Sequence, residues 1–235
     1  MSEIKNKIIT ISGEPASGKS TAVDELKRQY EKMGYNVEVT LVGQNYRPIV
    51  MEEYNKYLAQ HPELPRKENP SLAEAQTDPG FSIIIRKYLD TWLDNRTEEY
   101  GKRISSKPAP DTVYIIDARL AWQRIPNSFA VRTTIDEKVA GERAFNDPNR
   151  GKEDSYSSVE EAIKETRERK IGEVERYKKR YGVDLTDPDN YDLVLDTTNL
   201  SVEEVARIII EGERKYREEN SEPIIRKKDG FEPID

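Results

Sequence analysis

An α/β sandwich, with helices on both faces of a five-stranded parallel sheet in three layers, is expected of this chain on three grounds. Five short runs rich in aliphatic and β-branched residues recur along it, the kind that fill strands buried on both faces. Helix-like runs separate them, and strands alternating with helices imply right-handed crossovers. The stretch GEPASGKST, residues 13–21, stands between the first strand and the first helix, where a glycine-rich loop can wrap its backbone N–H groups around phosphate.

The elements follow in order. KIITIS (7–12) is the first strand, and KSTAVDELKRQYEKMG is an amphipathic helix ended by Gly34. VEVTLV (37–42) is the second strand. The next strand is too far away for a single crossover helix: residues 43–111 hold two proline-rich breaks, HPELPRKENP and TDPG, around helical pieces such as FSIIIRKYLDTWLDNRTEEYGK. Long bare loops are rare inside compact domains, so this stretch reads as a helical insert over the sheet. TVYIID (112–117) and FAVRTTI (129–135) are the third and fourth strands. SVEEAIKETRERKIGEVERYKKRYG is a long charged helix ended by Gly182, and YDLVLD (191–196) is the fifth strand. A last helix starts at Ser201 as N-cap with Glu204 three residues on, a capping box. The chain therefore divides into one domain over residues 1–218, with its core in 1–42 and 112–218 and its insert in 43–111, and a charged, turn-rich tail over 219–235.

At 235 residues one domain can bury a sizeable core. The formal charge of -7 and the pI near 5.2 argue against a general nucleic-acid binder, which needs a basic face. No cysteine is present, so there is no disulfide or thiolate metal site, in keeping with a reducing cytoplasm. MSEIKNKIITIS has no long apolar core, and no run approaches the ~18 apolar residues of a membrane span. The expectation is a cytoplasmic protein that binds neither nucleic acid nor membrane.

GEPASGKS fits G-x-x-x-x-G-K-[ST] through Gly13, Gly18, Lys19 and Ser20. Glu14, Pro15, Ala16 and Ser17 complete the loop and Thr21 follows it, so residues 13–21 as a whole are assigned to ATP. Lys19 would reach the β- and γ-phosphates, and the Ser20 hydroxyl would hold Mg²⁺. Asp117 closes TVYIID at the carboxyl end of a strand, the Walker-B place for a second magnesium ligand. A motor-type ATPase would follow that aspartate with a glutamate to activate water, but Ala118 follows it. A GTPase would carry N-K-x-D, and NKYL at 55–58 lacks the aspartate. Both departures favour transfer to a small acceptor over water. Arg47, Arg119, Arg143, Arg150, Arg169 and Arg176 fall at loops or helices that such a sheet gathers around its carboxyl edge, and phosphoryl transfer between two anions needs such a cluster. Arg143 is assigned to the donor side.

YIIDARLAW, then IPNSFAVRTTIDEKVAGERAF, then ERKIGEVERYKKRYGVDLTDPDNYDLVLDTT resemble the cytidylate kinases, in particular their compact archaeal-type form. The resemblance covers residues 7–60 and 112–210. It implies the nucleoside-monophosphate kinase fold with strand order 2-3-1-4-5, an acceptor-binding insert after the second strand, and a lid at about 146–158. It implies CMP or dCMP as the acceptor. Arg47 resembles the arginine that holds the acceptor phosphate, Arg119 the strand-three arginine facing the monophosphate, and Arg150 a lid arginine over the donor phosphates. Arg169, Glu173 and Arg176 fall in the pattern E-R-x-x-x-E-x-x-R-Y, and their spacing puts them on one helical face. In the family that face meets the acceptor sugar and the transferring group, so the catalytic set is Lys19, Asp117, Arg119, Arg150 and Arg176.

Two departures stand out. Ala118 replaces the family's usual glycine, and residues 62–86 are longer than the compact pattern, in the part that reads the base. His61, before a proline, reads as a turn residue, and Tyr30, Tyr35, Tyr177 and Tyr181 as helix–sheet packing. A monomer is expected, with a dimer as the alternative. The rival readings are a kinase for another nucleotide or small acceptor, and a nucleotide-binding regulatory protein without transfer. Retention of Lys19, Asp117, Arg119 and Arg176 argues against the regulatory protein.

Overall fold

A computed structural model describes residues 6–64, 75, 78–85, 90–147 and 156–219, with only the backbone given for 43–47 and 90–94. The strands are β1 (Lys7–Gly13), β2 (Asn36–Leu41), β3 (Thr112–Asp117), β4 (Phe129–Thr134) and β5 (Leu193–Asp196). They form one parallel sheet in the order β2-β3-β1-β4-β5, the order that the resemblance implies. The phosphate loop leaves β1, the central strand, with β3 and β4 on its two sides.

All five strands were expected to be mostly buried, and only three are. β1, β3 and β4 are buried nearly throughout, whereas β2 and β5 alternate between covered and open positions, and Val194 is left exposed. They are the two edges of the sheet. An edge strand has a sheet neighbour on one side only, and its outer positions meet solvent.

The helices are α1 (Lys19–Lys32), α2 (Val42–Gln60), α3 (Pro79–Ile84), α4 (Asp90–Ser105), α5 (Ala121–Arg124), α6 (Glu137–Phe145), α7 (Val159–Tyr181) and α8 (Val202–Glu219). Their ends obey the sequence. Gly34 (φ 89°) and Gly182 (φ 63°) take the left-handed conformation just past α1 and α7. At α8 the capping box is closed in both directions: Ser201 N–H donates to Glu204 Oε2 at 2.8 Å, and Glu204 N–H donates to Ser201 Oγ at 3.2 Å.

The main core lies between the sheet and the pair α1 and α8, around Ile9, Ile11, Leu26, Ile115, Val131 and Ile209. Within that layer Glu213 is 2% exposed, and it accepts from Arg217 Nη2 at 3.0 Å and from the Tyr30 hydroxyl at 3.5 Å. That hydroxyl has its pKa raised, first by burial and then by the neighbouring carboxylate. The other face carries a cluster around Ile8, Ile116 and Ile125 and an aromatic one that joins Trp122, Tyr181 and Tyr191. Tyr177 and Tyr181 stack with centroids 5.6 Å apart, so they pack as expected.

The insert has its own cluster, Val50, Tyr54, Leu58, Ala75, Phe81 and Ile85, distinct from those of the sheet. His61 caps the end of α2. Its ring lies 4.4 Å from that of Tyr57 and its Nδ1 3.0 Å from Glu63 Oε1, which suits the turn role.

Candidate functional site

The loop after β1 is held by three hydrogen bonds from two sides. Glu14 N–H donates to Thr133 O at 2.9 Å, Ser17 Oγ and Thr133 Oγ1 share a hydrogen at 2.7 Å, and Thr197 Oγ1 donates to Ser17 O at 2.9 Å. Strand β4 and the turn after β5 thus fix the loop that β1 delivers. Gly13 has no room for a side chain, because a Cβ there would stand 1.9 Å from Thr133 Oγ1. Gly18 lies at φ 76° and the non-glycine Ala16 at φ 59°, and left-handed residues in such a loop turn successive N–H groups toward a common centre. Gly18 offers no side-chain cap to α1, which leaves the positive end of the helix to a ligand.

Lys19, at the start of α1, forms an ion pair with Asp117 at the end of β3. Burial lowers the Lys19 pKa, and the Asp117 carboxylate opposes that effect. Ser20 and Thr21 are exposed on the first turn. Among the described residues no group of three or more His, Cys, Asp or Glu could hold a metal ion. A hard cation here would take the Ser20 hydroxyl and the Asp117 carboxylate and complete its shell with phosphate oxygens and water, which suits Mg²⁺.

Arg119 lies two residues beyond Asp117. It donates to Gly13 O and forms an ion pair with Glu173 of α7 at 2.9 Å. Burial opposes its charge, and Glu173, with Tyr177 and Asp117 adding to it, more than offsets that, so its pKa is raised. The three residues of the predicted face of α7 differ in exposure. Glu173 turns inward to Arg119, while Arg169 is exposed and the Arg176 side chain is 60% exposed, over the Tyr177 ring and 4.0 Å from Glu173. The reason is helical phase: α7 buries Ala162, Thr166 and Tyr181, and 169 and 176 lie toward the rim of that stripe. Arg143, on α6, donates to Thr197 O at 2.9 Å and Thr198 O at 3.2 Å, and its Nη1 stands 3.8 Å from where a Gly18 side chain would begin. It is next to the phosphate loop.

Arg47 falls within α2 but its side chain lies outside the described residues, as does Arg150 altogether. The expected lid is described only at its ends, 146–147 and 156–158.

Two charged residues that sequence reasoning did not single out stand at the loop. Arg132, in the middle of β4 and 6% exposed, is 3.1 Å from Glu14 Oε1, and Lys170 of α7 is 3.0 Å from Glu14 Oε2. The signal for Arg132 was available: a charge inside the run FAVRTT, otherwise fit for a buried strand, demands a partner. For Lys170, one cation in a helix dense with charge, no signal could have distinguished it.

A family model described as the cytidylate kinase-like family matches residues 8–199. A cytidylate kinase of Methanocella arvoryzae is 30% identical over 202 residues, covering 86% of this chain and 94% of that protein. An S-adenosylmethionine-dependent nucleotide dehydratase of Lacinutrix mariniflava is also 30% identical, over 88% of this chain but only 36% of its own length. A crystal structure of a Eubacterium ventriosum protein superposes with a TM-score of 0.56 at 12% identity, covering 90% of this chain and 99% of that one, a likeness of fold alone.

Proposed function

The chain belongs to the cytidylate kinase-like family, and from that premise we propose that it transfers the γ-phosphoryl group of ATP to a nucleoside monophosphate, CMP or dCMP, giving the diphosphate. One observation carries the reading: Lys19, Asp117 and Arg119 converge where β1 and β3 end, and α7 lies against them through Glu173. A donor phosphate and an acceptor phosphate could meet there between fixed cations.

The chemistry asks little of a base, because the attacking oxygen of a monophosphate is already anionic. Positioning and charge do the rest. The loop N–H groups and the positive end of α1 hold the donor phosphates, and Lys19 exchanges Asp117 for the β- and γ-oxygens as they arrive. Ser20 and the Asp117 carboxylate so released would hold Mg²⁺, which when bound would neutralise phosphate charge. Arg119 exchanges Glu173 for the acceptor phosphate in the same way, and Arg176, half free on α7, swings to the transferring group. Arg143 borders the donor at Gly18. The domain reading places Arg47 in the acceptor-binding insert and Arg150 in the lid, which would exclude water as a competing acceptor.

A coupled assay of ADP release over a panel of nucleoside monophosphates tests the proposal. CMP and dCMP should be the fastest acceptors, and no release above hydrolysis with any of them would overturn it. A preference for another monophosphate would place the chain with the rival acceptors, a reading favoured by the long 62–86 segment and by the relative named for a different nucleotide reaction.

A further inference from the structure

An acidic residue at the second position of a phosphate loop is an oddity of charge. A carboxylate there repels the ligand that the loop is built to hold, unless something neutralises it. Glu14 is neutralised twice: its side chain is 8% exposed, with Arg132 of β4 on Oε1 at 3.1 Å and Lys170 of α7 on Oε2 at 3.0 Å. Arg132 is itself buried, so the cation on the sheet side has been placed where only a charge partner makes it tolerable.

The Lys170 bond is one of two. Three residues further along α7, Glu173 pairs with Arg119 at 2.9 Å, and Arg119 also donates to Gly13 O. Residues three apart share a helical face. Helix α7 is therefore pinned to the first two residues of the loop by two ion pairs of opposite polarity, lysine to loop carboxylate and helix carboxylate to the arginine on the loop carbonyl. Ser12, 3% exposed with an Oγ that has no hydrogen-bond partner among the described residues, lines the same small pocket as Glu14, Arg119 and Lys170.

We propose that Glu14 is a positioning residue for the acceptor rather than for ATP, although it belongs to the ATP loop: through Lys170 it sets the seat of α7, and so the places of Glu173 and Arg176. This rests on the kinase reading above. When an acceptor phosphate draws Arg119 away from Glu173, only the Lys170–Glu14 pair of the two still holds the helix, and the acceptor groups keep their register because of it. Arg132 keeps the Glu14 carboxylate in place from the other side.

Steady-state kinetics with CMP and ATP test the division. Glu14→Gln and Lys170→Met should each raise the KM for CMP about tenfold and change the KM for ATP less than about twofold, since an interaction serving one ligand shows in that ligand's parameter. The double variant should be no worse than Glu14→Gln alone, because the two residues act as one unit. Lys170→Arg, which keeps the pair, should restore the CMP value. Equal changes for both substrates, or multiplied losses in the double variant, would overturn the proposal. If Glu14→Gln fails to fold because Arg132 is stripped of its carboxylate, Lys170→Met and Lys170→Arg carry the test, since Lys170 is about one-third exposed. Should the wild-type protein phosphorylate no monophosphate, the kinase reading fails separately, and amide exchange still decides the brace: faster exchange across 166–174 in Lys170→Met supports it, and unchanged protection overturns it.

Discussion

The phosphate-loop half of the molecule and the insert are stabilised in different ways. The first is a central strand locked between two others, with its loop tied to residues more than a hundred positions away, such as Thr133 and Thr197. The outer part of the insert is a local affair: α2 and α3 close around Phe81 and Tyr54, their rings 4.8 Å apart, in a cluster that shares no residue with those of the sheet, whereas α4 sends Ile104 into the sheet's cluster with Ile8 and Ile116. Two cores with separate membership can open separately. The lesson is that the loop and the charged residues around it sit on the half fixed by register, while α2 and α3 rest on a smaller core of their own.

Removing the centre of the smaller core breaks this comparison most severely. Phe81 is fully buried, and Phe81→Ala should cost about 3–5 kcal/mol locally. Amide exchange should accelerate across 50–60 and 79–85 while ATP binding, measured by calorimetry, survives. Joint loss of both would mean that the halves are one cooperative unit. Lys19→Ala is the converse cut: turnover should fall ~10²–10³-fold with the exchange pattern of the insert untouched, and near-normal turnover in the folded variant would remove Lys19 from the chemistry.

How much of this was legible follows the same divide. The sheet half declared itself, because buried parallel strands need unbroken aliphatic runs and helix ends need Gly34, Gly182 and Ser201 at fixed places. The partial exposure of β2 and β5 was not legible, since edge and centre differ by what lies alongside and not by composition. The insert could be named helical from FSIIIRKYLD and its neighbours, but not assembled, because its apolar residues do not announce which of them meet. At the site the loop, Asp117 and Arg119 were readable from spacing. The inward turn of Glu173 and the outward placement of Arg169 depend on how α7 is rotated against the sheet, which no motif records.

Smaller effects sharpen the contrast. Asp78 caps α3 by accepting from Gly80 N–H at 3.0 Å and Phe81 N–H at 2.8 Å, so Asp78→Ala should cost about 1 kcal/mol. It should be felt as faster exchange in 79–85 and as little change in the sheet. On the other half, hydrogen bonds from Arg28 and then Gln29 pull the Glu25 pKa down to about 2 from 4.5. A carboxylate depressed on folding contributes stability that is whole above its unfolded pKa and lost as the pH falls through the folded one. Urea unfolding of Glu25→Gln should therefore differ from wild type above pH 4.5, with the difference fading between pH 4.5 and 2. A constant difference across that window would mean that Glu25 acts by packing alone.

The two hydroxyls that steady the phosphate loop, those of Thr133 and Thr197, also set a clock for the protein's birth. The nucleotide motif is made well before either of them, and the later one, Thr197, lies 180 positions beyond the Ser17 carbonyl that it holds. At roughly 5–20 residues per second, about ten to thirty-five seconds separate synthesis of the loop from synthesis of Thr197. During that interval a nascent chain carries the ATP motif without the means to shape it. Ribosome-bound chains arrested before Thr197 has emerged should not retain ATP, and chains arrested after it should, so that nucleotide capture reports the arrival of β5 and the turn after it.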